Sequence, residues 1–328
     1  MQHSLGRLFL TLGLGTLAWN TAAQTSMPTH ANKPVSLVVS FPAGGAPDQI
    51  ARLLAPELQA RWKTPVVVVN RVGASGVLGN DFVARAEADG HTLLVTPNTF
   101  TMVPHVLPAD GQQHADVVKD YTPIALLSSA SMLMLASPLL GAKTAGDVAK
   151  MAKARPDLSY ATSGHGTPMH IVGEMFNKAA RVRLHHVPYK GTTPAINDVL
   201  GGHVMLTFLG TPTAKPLIDA GRLVPLAVAD KTRSPLLPDL PTMQEQGFAD
   251  VEIDISFGVY GPRNMAPSLA DAINKTLREV LAKPEVTAQF RNLHQIVEDM
   301  PRSAFAEKTR VDYERYGKLV KELGITVN

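Results

Sequence analysis

The sequence predicts an α/β fold built as two domains, and three observations carry that prediction. Short apolar, β-branched runs alternate with helix-period stretches along most of the chain, the grammar of parallel strands with helices on both faces. The chain has 328 residues, enough for about two domains at roughly 100–200 residues each. Apolar residues make up 45% and charged residues 18%, ordinary proportions that exclude a disordered or collagen-like chain.

Residues 1–23 read as a secretory signal peptide. Arg7 lies in the n-region, residues 8–19 form a mostly apolar stretch, and Thr21-Ala22-Ala23 supplies small residues for cleavage near Ala23. A spanning helix needs roughly 20 apolar residues, so this run is too short for an anchor, and no later segment is suited to cross a bilayer. The expected location is the periplasm. The absence of cysteine fits an oxidising compartment and removes disulfides, thiolate metal sites and cysteine nucleophiles. Lys and Arg number 31 against 28 Asp and Glu, a net +3 scattered along the chain, so no nucleic-acid partner is expected.

The first strand is placed at 35–41 and a helix at 48–62. A buried-type strand at 65–70, a helix at 77–88 and a strand at 92–96 follow. The pattern resumes with a helix at 145–155, a strand at 158–161, a helix at 168–179 and a strand at 184–187. A helix at 193–200, a strand at 204–208, a helix at 211–220 and a strand at 223–229 continue it. The Pro-studded stretch 234–241 breaks the alternation, and a strand at 251–260 precedes helices at 267–282, 284–294 and 301–323. Each of these last three opens on a proline, whose missing N–H is harmless in a first turn.

Two glycine-rich strand-to-helix turns carry the chemistry. The first, residues 41–48, presents Phe41, Ala43, Gly44, Gly45 and Ala46, with Asp48 near the helix N-terminus. Backbone N–H groups there converge on an anion, and an acid in the first turn accepts free N–H donors or holds a water. A tight turn with a helix cap and no ligand is the plainer alternative. The second, residues 162–170, offers Ser163, Gly164, His165, Gly166, Thr167 and His170, with Pro168 at the first helical position. One anion-receptive turn in each half of the chain suits a dicarboxylate held between domains. Tyr189 and Lys190 sit on a further strand-to-helix turn, where Lys190 meets either a carboxylate or water.

Other motifs are excluded by spacing. Residues 73–79 lack the dinucleotide spacing and its acidic partner, and no Gly-x-Ser-x-Gly elbow surrounds Ser75. His165, His170, His185 and His186 show no metal-binding spacing, so no metal and no cofactor are expected. Glu252 and Asp254, two residues apart, read as a solvated strand edge rather than an acid/base pair. No catalytic constellation assembles, so the chain is expected not to be an enzyme; an exported hydrolase is the outlying alternative.

An ordered set of short motifs resembles one family. They are FPAGGAPD (41–48) with Ala51-Arg52, Asn70-Arg71 with 73–79, DGHTLL (89–94), DYTPIA (120–125) and SGHGT (163–167) with His170. VPYKG (187–191), Gly201-Gly202 and Arg233-Ser234-Pro235 with LPDLPT (237–242) complete the set. From Lys33 to Gly324 the chain resembles the Bug family, the extracytoplasmic solute receptors of tripartite tricarboxylate transporters. The resemblance implies a type II-like periplasmic binding protein, two α/β lobes joined by two crossing segments and closing on a small carboxylate. Lobe one is expected at 34–128 plus 254–328 and lobe two at 129–253, with crossings near 128–131 and 251–254. It also implies a monomer that delivers its ligand to a membrane permease; a sensor-kinase periplasmic domain is the alternative partner. Asn98 and Thr99 are expected at the distal end of the ligand. Many relatives carry an acid where Leu209 stands here, which points to a ligand without an amine, a dicarboxylate or an aromatic acid, because a buried ammonium would lack a partner.

Overall fold

The computed structural model describes residues 33–107 and 114–325, so the expected signal peptide lies outside the described residues. The first half runs β1 (Val35–Val39), α1 (Ala46–Trp62), β2 (Val66–Asn70), α2 (Val77–Ala84), β3 (Thr92–Pro97) and the short α3 (Thr99–Met102). A long strand, β4 (Tyr121–Ala136), follows, then α4 (Ala145–Ala154), β5 (Ser159–Thr162) and α5 (Pro168–Ala180). β6 (His185–Pro188), α6 (Thr192–Leu200), β7 (Leu206–Gly210), α7 (Thr211–Asp219) and β8 (Val224–Val228) continue the chain. β9 (Asp254–Pro262), α8 (Pro267–Leu281), α9 (Pro284–Asn292), β10 (Ile296–Val297) and α10 (Arg302–Leu323) end it.

Among the described residues ten strands form one sheet, with the path β2-β1-β3-β9-β4-β7-β5-β6 and with β8 and β10 also paired to β4. It has two parallel centres. β1 lies parallel between β2 and β3, and β5 lies parallel between β6 and β7. β4 joins them: residues up to Ser131 pair antiparallel with β9, and Met132 to Ala136 pair with β7 and β8. This strand was not among those predicted. Its run YTPIALLSSASMLMLA is mostly apolar and mostly buried, without period-two alternation, because both faces are covered.

Alternation along β1 assigns its faces. Val35, Leu37 and Val39 pack with Ile50, Leu54 and Leu58 of α1, whereas Val38 packs with Val83 of α2 on the opposite side. The helices after β1 and β2 thus diverge, and the crevice beyond the carboxyl end of β1 is a topological switch point, where open α/β sheets place ligands. α10 bridges both halves. Phe305 packs beside Val38 and Tyr260, whereas Tyr316 and Val320 enter the core around β5 and β7.

Helix α10 also corrects the reading of residues 252 and 254. Arg315 donates to Glu252 at 3.2 Å, while Lys308 (3.2 Å) and the Tyr316 hydroxyl (3.1 Å) donate to Asp254. These acids are held by a covering helix rather than by water, and they pin it to the chain entering β9.

Candidate functional site

The first glycine-rich turn leaves the end of β1. Ser40 Oγ and Thr96 Oγ1 lie 2.9 Å apart, tying the ends of β1 and β3 together. Asp48, only 2% exposed, points back into the turn. Its Oδ2 accepts from Gly44 N–H and Arg52 Nε, both at 2.9 Å, and its Oδ1 accepts from Asn70 Nδ2, also at 2.9 Å. Asn70 Nδ2 also donates to the Phe41 carbonyl at 3.1 Å. Burial alone would raise the Asp48 carboxyl, but the hydrogen bonds from Arg52, Gly44 and Asn70 outweigh it and hold it below the usual carboxylate range. Asp48 is therefore a scaffold for the turn. Ala43, Gly44 and Gly45 are exposed, Phe41 and Ala46 are half-buried, and the N–H groups of Ala46 and Asp48 have no acceptor within their own helix.

The second turn follows β5. Gly164 and Gly166 have φ of +131° and +68°, conformations that glycine adopts without penalty. The hydroxyls flanking them are committed locally. Thr162 Oγ1 lies 2.6 Å from His186 Nε2, Thr167 Oγ1 donates to the Gly164 carbonyl at 2.9 Å, and Ser163 Oγ contacts Met169 Sδ at 3.2 Å. Gly166 N–H donates to His170 Nδ1 at 3.2 Å.

Behind this turn three imidazoles gather. His170 and His186 stack with centroids 3.8 Å apart, and His165 stands edge-on to both, at 5.6 Å and 5.1 Å. Parallel pairing of β5 with β6 sets Tyr160 opposite His186, and their rings stack at 5.3 Å. A side chain at Gly173 of α5 would overlap the Tyr160 ring, so glycine there admits the stack. Burial, then the neighbouring imidazoles, lower His186 to about 3 and His170 to about 4, which keeps both rings neutral near pH 7. A cavity of about 180 Å³ is lined by the three histidines, Glu174 and residues 323–325.

The two turns connect through a loop that the sequence reading dismissed. A Cβ on Gly76 would sit 3.1 Å from the Phe41 ring, and one on Gly164 would sit 3.7 Å from Ser75 Oγ. Ala74 and Ser75 both have positive φ, 46° and 52°, a strained pair facing the other half of the chain. Gly166 in turn meets Val106, whose Cβ would lie 2.9 Å from an added Cβ. Ser75, Val106 and His186 are thus the missed neighbours of the site; the glycines of 73–76 were the signal for the first of them.

The remaining expected residues divide. Asn98 and Thr99 lie at the carboxyl end of β3, both buried. Asn98 Nδ2 donates to the Asp254 carbonyl at 2.8 Å, and its Oδ1 is a buried acceptor without a partner among the described residues. Tyr189 donates its hydroxyl to Asp198, and Lys190 is exposed. Leu209 departs from expectation. β7 runs on to Gly210, so Leu209 pairs with Leu133 inside the sheet, and its side chain is 1% exposed in the core. The inference drawn from Leu209 as a cleft position therefore has no structural footing.

Comparisons with known proteins agree with this architecture. The chain matches the tripartite tricarboxylate transporter family receptor over residues 50–325. It is 30% identical to protein BugT of Bordetella pertussis over 290 residues, 88% of each chain. Among solved structures it is similar to the periplasmic binding protein BugD, with a TM-score of 0.80 and 32% identity over 90% of this chain and 99% of that one. It is also similar to Rpa4515 of R. palustris, solved with adipate, with a TM-score of 0.84 and 29% identity over 91% of this chain and all 100% of that one. The fold is the two-lobed α/β architecture of periplasmic binding proteins, with a curled sheet. A fold built on two parallel centres, the match across most of the chain and the ordered motifs converge: this chain belongs to the tripartite tricarboxylate transporter receptor family, the Bug proteins.

Proposed function

We propose that the chain is an exported receptor that captures a small dicarboxylate between two lobes, residues 34–128 with 254–328 and residues 129–253, and delivers it to the permease of a tripartite tricarboxylate transporter. The observation that supports this reading is that two glycine-rich turns, one from each parallel centre of the sheet, meet through the 73–76 loop, Ser75 beside Gly164 and Phe41 beside Gly76. One carboxylate is assigned to the exposed backbone of residues 43–46, where first-turn N–H groups and the helix dipole favour an anion. The other is assigned to the turn at 163–167, with Tyr189 and Lys190 beside it and Asn98 and Thr99 toward the crossing segments.

The ligand is read as amine-free. Both oxygens of Asp48 are engaged by donors, so that carboxylate is not available to a ligand ammonium. Adipate in Rpa4515 is a ligand of this class. Thermal unfolding of the mature protein, refolded to remove any co-purified ligand, tests the reading against succinate, malate, adipate, citrate, benzoate, aspartate and glutamate. A ligand at about 100 times its Kd stabilises by roughly 2.7 kcal/mol. Shifts with the dicarboxylates and none with the amino acids are expected. A shift only with aspartate or glutamate would overturn the amine-free assignment, and no shift with any acid would overturn carboxylate capture.

A further inference from the structure

We propose that His165, His170 and His186 form a site for one divalent transition-metal ion, zinc or a similar imidazole-preferring ion, on the inner side of the second turn. Each ring offers a nitrogen, and the three donor atoms lie within 4.8 Å of one another although they come from a turn, a helix and a neighbouring strand. His165 Nδ1 is buried and has no hydrogen-bond partner among the described residues, and a metal would give it one. The rings wall a cavity of about 180 Å³, roomy enough for an ion with a water, and the Glu174 carboxylate on the same wall offsets part of its charge. Three imidazoles plus one open position is a common zinc arrangement, and nitrogen donors favour zinc, copper or nickel over magnesium or calcium.

Binding requires defined local changes. Zinc–nitrogen bonds of about 2.0–2.1 Å bring tetrahedral donors to roughly 3.3 Å from one another, so the rings must close by about 1 Å or more. The His170–His186 stack, tilted by only 11°, must open, because in-plane lone pairs of parallel rings cannot meet at one point. His186 keeps Nε2 on Thr162 and binds through Nδ1; His170 exchanges the Gly166 N–H at Nδ1 for the metal. None of this depends on which solute the cleft takes.

The experiment titrates untagged, EDTA-treated mature protein with ZnCl2 and NiCl2 by calorimetry, in buffer free of carboxylates, and records the absorption spectrum with Co2+. One equivalent per chain and intense visible bands of nitrogen-coordinated, near-tetrahedral cobalt are expected. H165A, which removes a ring whose Nδ1 bonds to nothing, should weaken binding at least tenfold without loss of fold, and H186A should do the same. H185A, altering the exposed neighbour on the other face of β6, should leave binding unchanged. Absence of stoichiometric binding, or binding indifferent to H165A and H186A, would overturn the proposal. Carboxylate-induced thermal shifts in metal-free protein are read separately, so the two assignments fail independently.

Discussion

The two glycine-rich turns look alike in sequence and are supported by different chemistry. Residues 41–48 are held by an ionised carboxylate that gathers a backbone N–H, a guanidinium and a carboxamide. Residues 162–170 are held by neutral groups, hydroxyls donating to carbonyls and an imidazole accepting from a backbone N–H. A charged scaffold concentrates its strength in one side chain, whereas a neutral one spreads it over several. The two turns therefore respond differently to truncation, to pH and to a methyl group, and each response can be measured.

Truncation gives the largest contrast. Asp48→Ala removes a buried carboxylate and leaves Gly44 N–H, Arg52 Nε and one Asn70 N–H without the acceptor they share. Hydrogen bonds to a charged group contribute about 1.5–3 kcal/mol each, and Arg52 is half exposed and recovers solvent, so a loss of about 3 kcal/mol is expected in urea unfolding. Thr167→Val removes one neutral hydroxyl that donates to Gly164, and should lose only about 1 kcal/mol. Equal losses would show that the first turn does not depend on Asp48 in this way.

The pH response is next. Unfolded imidazoles titrate near 6.5, whereas folded His170 and His186 titrate at about 4 and about 3 because they are buried beside other imidazoles. Between those limits the unfolded chain binds more protons, so stability rises with pH. The contribution is complete above about pH 6.5 and is lost as pH falls through about 4 toward 3. In metal-free protein the urea midpoint should therefore fall by the equivalent of about 2–4 kcal/mol from pH 7 to pH 5. Asp48 titrates below the ordinary carboxylate range, so its support is intact throughout that window. His170→Gln with His186→Asn should flatten the slope; a slope that survives both changes would place the titrating group elsewhere.

What was legible in the sequence follows from locality. Helix starts with proline at 267 and 284, and the strands around 37, 68 and 94, are written in neighbouring residues. The motifs placed the two turns, and their fold followed from the resemblance. β4 was missed because a strand covered on both faces loses its alternation, and Ser128 to Ser131 in its centre read as a crossing alone. Leu209 was misplaced by one strand boundary, since β7 ends at Gly210 and side chains alternate faces. The histidine cluster had no spacing to betray it: residues 165 and 170 meet residue 186 only through the parallel register of β5 with β6.

A methyl group gives the smallest and most local contrast. Gly44 and Gly166 both have left-handed backbones, with φ of +82° and +68°, so alanine at either site carries about 1–2 kcal/mol of conformational penalty. Their surroundings differ. Around Gly44 nothing among the described residues lies within 4 Å of an added Cβ, whereas at Gly166 that atom would lie 2.9 Å from Val106 Cβ. Both partners at Gly166 sit close to backbone and cannot swing aside as a flexible side-chain tip can, so relief requires the turn to move away from Val106. Gly166→Ala should then lose about 1 kcal/mol more than Gly44→Ala, because overpacking adds to the shared backbone penalty. Val106→Gly, which removes the Cβ at 2.9 Å together with both methyls, should recover that excess in a double-mutant cycle and leave the cost of Gly44→Ala unchanged. If the recovery fails, the contact between the halves is not what restrains the second turn, and its position is set by the histidine stack behind it.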